Sequence, residues 1–483
     1  MGRRVQPVRE LRLVFATTPL TLDPQRHRED LTRMVLANFY EGLASFDGNL
    51  QIRPCLAVEW TNPADTVWRF RLRPGVRFHD GTAFGAEDVR RTIERARRAE
   101  GTAVEADVRA IVEVRVLDPL TVELVTDRAR PLLLAKLAHT PILPRTVSDA
   151  PITAPIGTGP YRFAGASANL DRVSGIRFDG YWGPIPAHPG FRIEVADGEQ
   201  RRLELVRQGA DLATPVSGVR AGSDGVRILS HRTVTTTFLL CRIAPLAGGQ
   251  PSPFRDPRVR HAINLAIDRQ GLVDRTSPGE AEASWQPAPP GVSGHLPDLA
   301  PPTPDPAGAR SLLRGAGFPS GIRSTLLVST RGVDAGRELA RQLAAVGIQL
   351  EVEPLEWAEL YARMKGGQAP LALASWSMIT GDASSLYEPV LHSASGPPGF
   401  GEENTTGYAN PALDAAIAAA AQEMRSPARV LLMWRIVRLT LDDLPLIPVY
   451  TPMWTYAVRK DLAFAPRLDL AVVAADLRPL PPS

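Results

Sequence analysis

Three places along this sequence group residue types suited to holding a small polar or anionic ligand. Thr17-Thr18 offers two hydroxyls, Thr330-Arg331 a hydroxyl and a guanidinium, and Ser375-Trp376-Ser377 an aromatic plane between two hydroxyls. A guanidinium can grip a carboxylate with two parallel hydrogen bonds. An indole can stack on a flat ligand face. Arg331 is therefore expected to hold a ligand carboxylate and Trp376 to stack. Bond-breaking chemistry finds less support. The chain has no G-x-S-x-G, no H-E-x-x-H and no cysteine paired to a histidine motif. Its histidines, His27, His79, His139, His188, His231, His261, His295 and His392, never fall within five residues of one another, so local spacing builds no metal site. Gly157-Thr158-Gly159 is no phosphate loop, because G-x-x-x-x-G-K-[ST] is absent and Lys136, Lys365 and Lys460 all lie elsewhere. It reads instead as a tight crossover between domains. No cofactor is expected, and the chain is read as a non-enzyme.

These residues need elements to hold them. From Ser324 to Trp376 the periodicity predicts strand (Thr325 to Ser329), helix (Asp334 to Val346), strand (Ile348 to Val352), helix (Trp357 to Lys365) and strand (Leu371 to Ser375). That order means a parallel sheet covered by helices, whose ligands bind beyond the carboxyl ends of the strands. Thr17-Thr18 follows the apolar strand Leu11 to Phe15, so all three places are strand ends. In Thr66 to Arg98, Trp68, Phe70 and Leu72 alternate with Arg69, Arg71 and Arg73, the period of a half-buried strand. Pro74-Gly75 turns the chain into a second short strand, Val76 to His79, and a helix starts near Ala86, with Gly101 placed to end it. Leu31 to Leu43 reads as a helix. Asp256-Pro257 opens another, and the tail reads as helices Pro411 to Met424 and Pro427 to Leu441 before strand Leu446 to Tyr450.

The 483 residues are enough for two or three domains, and net charge is only +3. The 55 basic residues include three lysines, leaving 52 arginines scattered among acids, with no block of like charge, so nucleic-acid binding is not expected. No apolar run approaches the ~18 residues of a membrane span. Cys55 and Cys241 are the only cysteines. One disulfide and two separate buried thiols are both open, and two thiols is the reading taken.

The stretch W-x-F-x-L-R-x-G-V-x-F-H-D-G-T-x-F-x-A-E-D-V, from Trp68 to Val89, resembles the signature of the extracytoplasmic solute-binding proteins of dipeptide, oligopeptide, nickel and opine ABC importers, family 5 of the solute-binding proteins. Gly157-Thr158-Gly159-Pro160-Tyr161, the run from Arg255 to Arg269, and Ala316-Gly317-Phe318-Pro319 are similar to further motifs of that family. The resemblance covers about Leu11 to Phe464.

The resemblance implies an α/β, periplasmic-binding-protein-like fold: two α/β lobes with a ligand cleft at the hinge, plus an extra inserted domain. Lobe I would comprise 1–35, 156–240 and 455–483, the inserted domain 36–155, and lobe III 241–454. It implies the solute-binding subunit of an ABC importer, capturing a peptide or a peptide-like, carboxylated solute and delivering it to a membrane permease. Alternatives are a nickel-chelate, opine or modified-sugar binder, a non-transport receptor, or an enzyme on this fold. It also implies a monomer that is periplasmic or at the cell surface, with its export signal removed. Its cleft would be lined by Thr17, Thr18, His27, Arg331, Ser375, Trp376, Ser377 and Asp382. Peptide-binding relatives carry an aspartate three residues after the tryptophan, for the peptide's α-amino group. Here that position is Ile379, which cannot offset the desolvation of an ammonium. Either Asp382 takes over that task or the ligand lacks a free amino terminus, and we favour the second. The arginine that nickel-chelate binders use has no equivalent, because Pro141 falls near its place.

Overall fold

The computed structural model describes residues 9–27, 29–99, 102–216 and 225–481. Gly101 lies outside them. The chain divides into two compact units, the first Met1–His231 with Trp454–Ser483, the second Arg232–Met453.

The first unit is built on the apolar strand Leu11–Phe15, which pairs in parallel with Gly190–Val195 and Leu212–Thr214. Both faces of this strand are covered, as parallel sheets require. Leu11, Leu13 and Phe15 pack with Phe39, Tyr161, Phe191 and Tyr456, while Val14 packs on the other side with Leu203 and Val206. Arg172–Arg177 and Tyr161–Ala166 extend the sheet beyond Gly190–Val195. The helix expected over Leu31 to Leu43 is shorter, Asp30–Leu36. Buried Asn38 stops it: its amide nitrogen donates to the carbonyls of Met34 and Val35, and its oxygen accepts from the N–H of Ala474 at 2.7 Å.

A separate antiparallel sheet in this unit has the order Ala57–Ala64, Val67–Leu72, Thr121–Thr126, Ile111–Asp118. The alternation holds, with Trp68, Phe70 and Leu72 buried and Arg69 and Arg71 exposed. Arg69 pairs across the strands with Glu123 at 2.7 Å, and Arg71 with Glu59. The exposed Arg71–Glu59 pair contributes about 0–1 kcal/mol, while Glu123 is buried beneath Arg69. Helix Ala86–Arg97 begins where expected, and Asp88 accepts from the Gly85 N–H at 2.8 Å. The second short strand does not form. Val76 to His79 makes only an isolated bridge, Arg77 to Ala83, because the backbone of His79 is used elsewhere. Its N–H donates to Gly157 O at 2.9 Å, and its ring lies 3.2 Å from the Gly157 N–H and 3.0 Å from Gly159 O. The Gly-Thr-Gly crossover is thus gripped by the signature histidine. Thr158 in turn donates to Glu41, which also accepts from Tyr181 and Trp182, each at 2.8 Å.

Burial depresses the His79 pKa from 6.5 to about 4. The unfolded chain therefore takes up a proton near pH 6.5 that the folded chain refuses until about pH 4. The stability at stake is fully present above pH 6.5 and is lost as pH falls toward 4, by roughly 3 kcal/mol at most. A His79→Gln variant should lose correspondingly less stability between those pH values in urea titrations. Identical pH slopes for the two proteins would refute this.

The second unit holds the predicted β-α-β-α-β run. Its strands Ile322–Ser329, Ile348–Leu355 and Leu371–Ser377 are parallel, with Ile322–Ser329 in the middle. Helices Val333–Ala344 and Trp357–Lys365 make the crossovers. Thr235–Cys241 adds antiparallel to Leu371–Ser377, and Leu446–Arg459, longer than the expected strand Leu446 to Tyr450, pairs antiparallel to it over residues 446–450. Because Thr235–Cys241 is central to this sheet, the chain passes between units at His231–Arg232, ahead of the expected 240–241 boundary. One sheet face carries Leu239, Leu326, Val328 and Leu373 and packs on helices including Pro257–Ala266 and Val333–Ala344. Asp256 caps the first of these, accepting from the Arg258 N–H at 2.9 Å, with Pro257 in the first turn as expected. Cys55 and Cys241 are buried free thiols, one in each unit. Burial raises both pKa values, that of Cys241 to about 12.

Candidate functional site

The site-bearing face of the second unit's sheet is the one opposite that core. Strand pairing sets Trp376 beside Thr236 and Ala374 beside Phe238, so these side chains share a face. Ala374 is small, and the space above it is not filled by the next layer. That layer is helix Trp357–Lys365, whose Trp357, Tyr361 and Met364 recur at i, i+4 and i+7 and so project from one side. The Trp357 and Tyr361 rings lie 5.9 Å apart. Leu386 and Val390 close another side, from a segment that ends in a π-helical turn, Tyr387–Leu391. Such turns are frequent at functional sites. The result is a pocket of about 220 Å³ with mostly apolar walls.

Polar groups sit at its margins. The Trp376 indole N–H donates to Ser385 O at 2.9 Å, which fixes the ring as a wall. On the other face of the strands, Ser375 and Thr237 share a hydroxyl–hydroxyl bond of 2.8 Å. Glu403 lines the pocket, and its Oε2 accepts from the Tyr361 hydroxyl at 2.7 Å and lies 3.1 Å from Lys365 Nζ. An apolar ligand group could enter here, with one lysine-paired carboxylate to orient it.

Of the residues anticipated from sequence, Ser375, Trp376 and Ser377 line this pocket together. Arg331 sits on the turn Thr330–Gly332, at the carboxyl end of the strand next to theirs. It is exposed, and among the described residues it has no ion-pair partner. Thr17 and Thr18 follow Leu11–Phe15 in the first unit, Thr17 exposed and Thr18 half-buried. His27 is also in the first unit and half-buried, and burial lowers its pKa. Asp382 is corrected. Its carboxylate is buried and held by both terminal nitrogens of Arg429, one at 3.0 Å, while Ser384 N–H donates to it at 2.9 Å. Buried and paired to a cation, it is not offered to a ligand ammonium. Sequence reasoning missed Trp357, Tyr361, Met364 and Glu403. The 357-361-364 spacing was a usable signal for the first three. Among the described residues no group of three or more His, Cys, Asp or Glu side chains could hold a metal, and no helix is long and apolar enough to cross a membrane.

Known proteins sharpen this picture. The glutathione-binding protein GsiB of Pectobacterium atrosepticum is 28% identical over 430 residues, spanning 84% of this chain and 81% of that protein. GsiB of Salmonella typhi is 27% identical over 468 residues, spanning 92% and 89%. The fold overlays the ABC transporter substrate-binding protein CtaP of Listeria monocytogenes with TM-score 0.84 at 17% identity, covering 98% of this chain and 99% of that one. It also overlays Helicobacter pylori DppA, in complex with the peptide STSA, with TM-score 0.78 at 21% identity, covering 97% and 98%. Residues 51–397 match the model of the bacterial extracellular solute-binding proteins, family 5. The match takes in most of the chain, which thus belongs to the family 5 extracellular solute-binding proteins and serves as the solute-binding subunit of an ABC importer.

Proposed function

We propose that this protein captures a peptide-like, carboxylated solute bearing an apolar side group and hands it to a membrane permease. The pocket carries the reading: it is apolar, of side-chain size, and walled by Trp376 at the end of a parallel strand. Arg331, exposed at the neighbouring strand end, takes the ligand carboxylate. With Asp382 held by Arg429 and Ile379 in the position expected of an acid, no carboxylate at those two positions is left for an α-ammonium. The ligand therefore presents a blocked or distant amino group. Support for a peptide-like ligand comes from relatives named for glutathione and from a neighbour bound to the peptide STSA. The protein acts as a monomer in the periplasm or at the cell surface, and it binds without turnover.

Native mass spectrometry of gently purified protein should reveal a co-purifying ligand of this class. Titration calorimetry with it should show Trp376→Ala weakening binding by about 2 kcal/mol or more, the size of a hot-spot residue. Unchanged affinity in Trp376→Ala would remove the pocket from the binding site. Small-angle scattering should show a radius that shrinks with ligand, as hinge closure requires.

A further inference from the structure

Within the pocket one feature is not explained by apolar packing, the carboxylate of Glu403. Tyr361 and Lys365 stand four residues apart on one helix, so both reach the same acceptor. Both use Oε2: the tyrosine hydroxyl donates to it at 2.7 Å, and Lys365 Nζ lies 3.1 Å away. Lys365 also donates to the Glu402 carbonyl and lies 5.6 Å from the centre of the Tyr361 ring. The backbone holds the acid in place, since Glu403 N–H donates to Pro389 O at 2.8 Å. Oε1 accepts no hydrogen bond among the described residues. The pocket therefore has an apolar body and one carboxylate in its lining, paired to a lysine outside the lining.

We propose that Glu403 and Lys365 together set the specificity of this pocket. Glu403 Oε1 accepts a hydrogen bond from a neutral donor at the tip of an aromatic side group, and Lys365 keeps cationic groups out. This rests on the solute-binding reading and names the side group it takes: a ring with a phenolic O–H or an indole N–H. The volume suits a ring, because about 220 Å³ exceeds the ~150 Å³ of an apolar cavity known to bind benzene. The charge logic follows from the pairing. A carboxylate with a lysine at ion-pair distance gains little from a second cation, which would also face that lysine's repulsion. A neutral O–H or N–H loses its hydration on entry and needs an acceptor, which Oε1 supplies.

Three probes of one shape test this on the intact protein: toluene, p-cresol and benzylamine, titrated by ligand-observed NMR. The wild type should bind p-cresol more tightly than toluene by about tenfold, the worth of one hydrogen bond to a charged acceptor, and benzylamine most weakly. Lys365→Met should raise benzylamine affinity about tenfold and leave toluene unchanged. Glu403→Leu should erase the preference for p-cresol over toluene. Ala374→Leu, which fills the pocket, should abolish binding of all three, and melting curves confirm that each variant folds. Equal binding of p-cresol and toluene by the wild type would overturn the acceptor role. An unchanged benzylamine affinity in Lys365→Met would overturn the charge filter. Undiminished binding in Ala374→Leu would place the probes elsewhere and overturn the assignment. These probes are not transport solutes, so their result stands apart from whether a peptide-like ligand is ever found.

Discussion

Replacing Asp382 with alanine should cost about 3–5 kcal/mol of folding stability, the penalty for leaving one partner of a buried ion pair uncompensated. Both side chains are well enclosed, with 6% of the aspartate and 8% of the arginine exposed. Removing the aspartate strands a guanidinium whose remaining hydrogen-bond partners, Ala420 O at 3.1 Å and the Ser384 hydroxyl at 2.6 Å, carry no charge, leaving the Glu388 carboxylate as its charged neighbour. The pair also shapes the site. Asp382 O accepts from the Ser385 hydroxyl at 2.9 Å, and Ser385 O in turn holds the Trp376 indole. The variant's folded fraction should therefore also bind ligand more weakly. Asp382→Asn keeps the shape and should cost less. A double variant, Asp382→Leu with Arg429→Met, should recover much of the loss, because a buried pair contributes little over apolar packing. Urea unfolding checks the series, and a loss below about 1 kcal/mol for Asp382→Ala would show the pair to be solvated after all.

Gly157→Ala should be comparably damaging for a different reason. A Cβ built there falls 2.1 Å from Phe39 O and 2.7 Å from Tyr40 Cδ1. The first contact is with backbone, which cannot swing away. The crossover is pinned as well, by the two hydrogen bonds between Gly157 and His79 and by the bond from Gly159 N–H to Phe39 O at 3.0 Å. Relief requires breaking one of these, so the cost should reach about 3 kcal/mol or more, the upper end for overpacking. Gly75→Ala is the contrasting control. Nothing lies within 4 Å of its Cβ, and only its φ of +76° opposes a side chain. That conformational penalty is about 1–2 kcal/mol. Thermal unfolding of the two variants should separate crowding from backbone strain, and equal losses would contradict the distinction.

What the sequence made legible was what is local. The β-α-β-α-β order could be read because each strand and helix carries its own period and stop signals, and the structure keeps all five elements. Trp376 and its serines could be placed because they end a strand. Val76 to His79 misled because a short apolar run after a Pro-Gly turn looks like a hairpin arm, whereas its local bonds stop at a tight turn (Phe78 to Thr82, Phe84 to Val76) and His79 bonds to Gly157, far along the chain. Asp382 misled for the same kind of reason: its partner lies 47 residues away, on helix Ser426–Asp443. The pocket could not be assembled from sequence at all. Its walls come from Thr235–Cys241, Trp357–Lys365, Leu371–Ser377, Ser384–Leu391 and the loop at Glu403, and no spacing rule joins those segments.

The two sulfhydryls have a practical consequence. Thiolates, not thiols, attack maleimides and disulfides. Cys241, with its pKa near 12, and Cys55, raised as well, are both enclosed and stay protonated at neutral pH. The native chain is therefore chemically silent toward labelling reagents. One surface cysteine introduced into each unit can carry a spectroscopic reporter without first removing the natural pair, so opening and closing can be timed on an otherwise unaltered molecule.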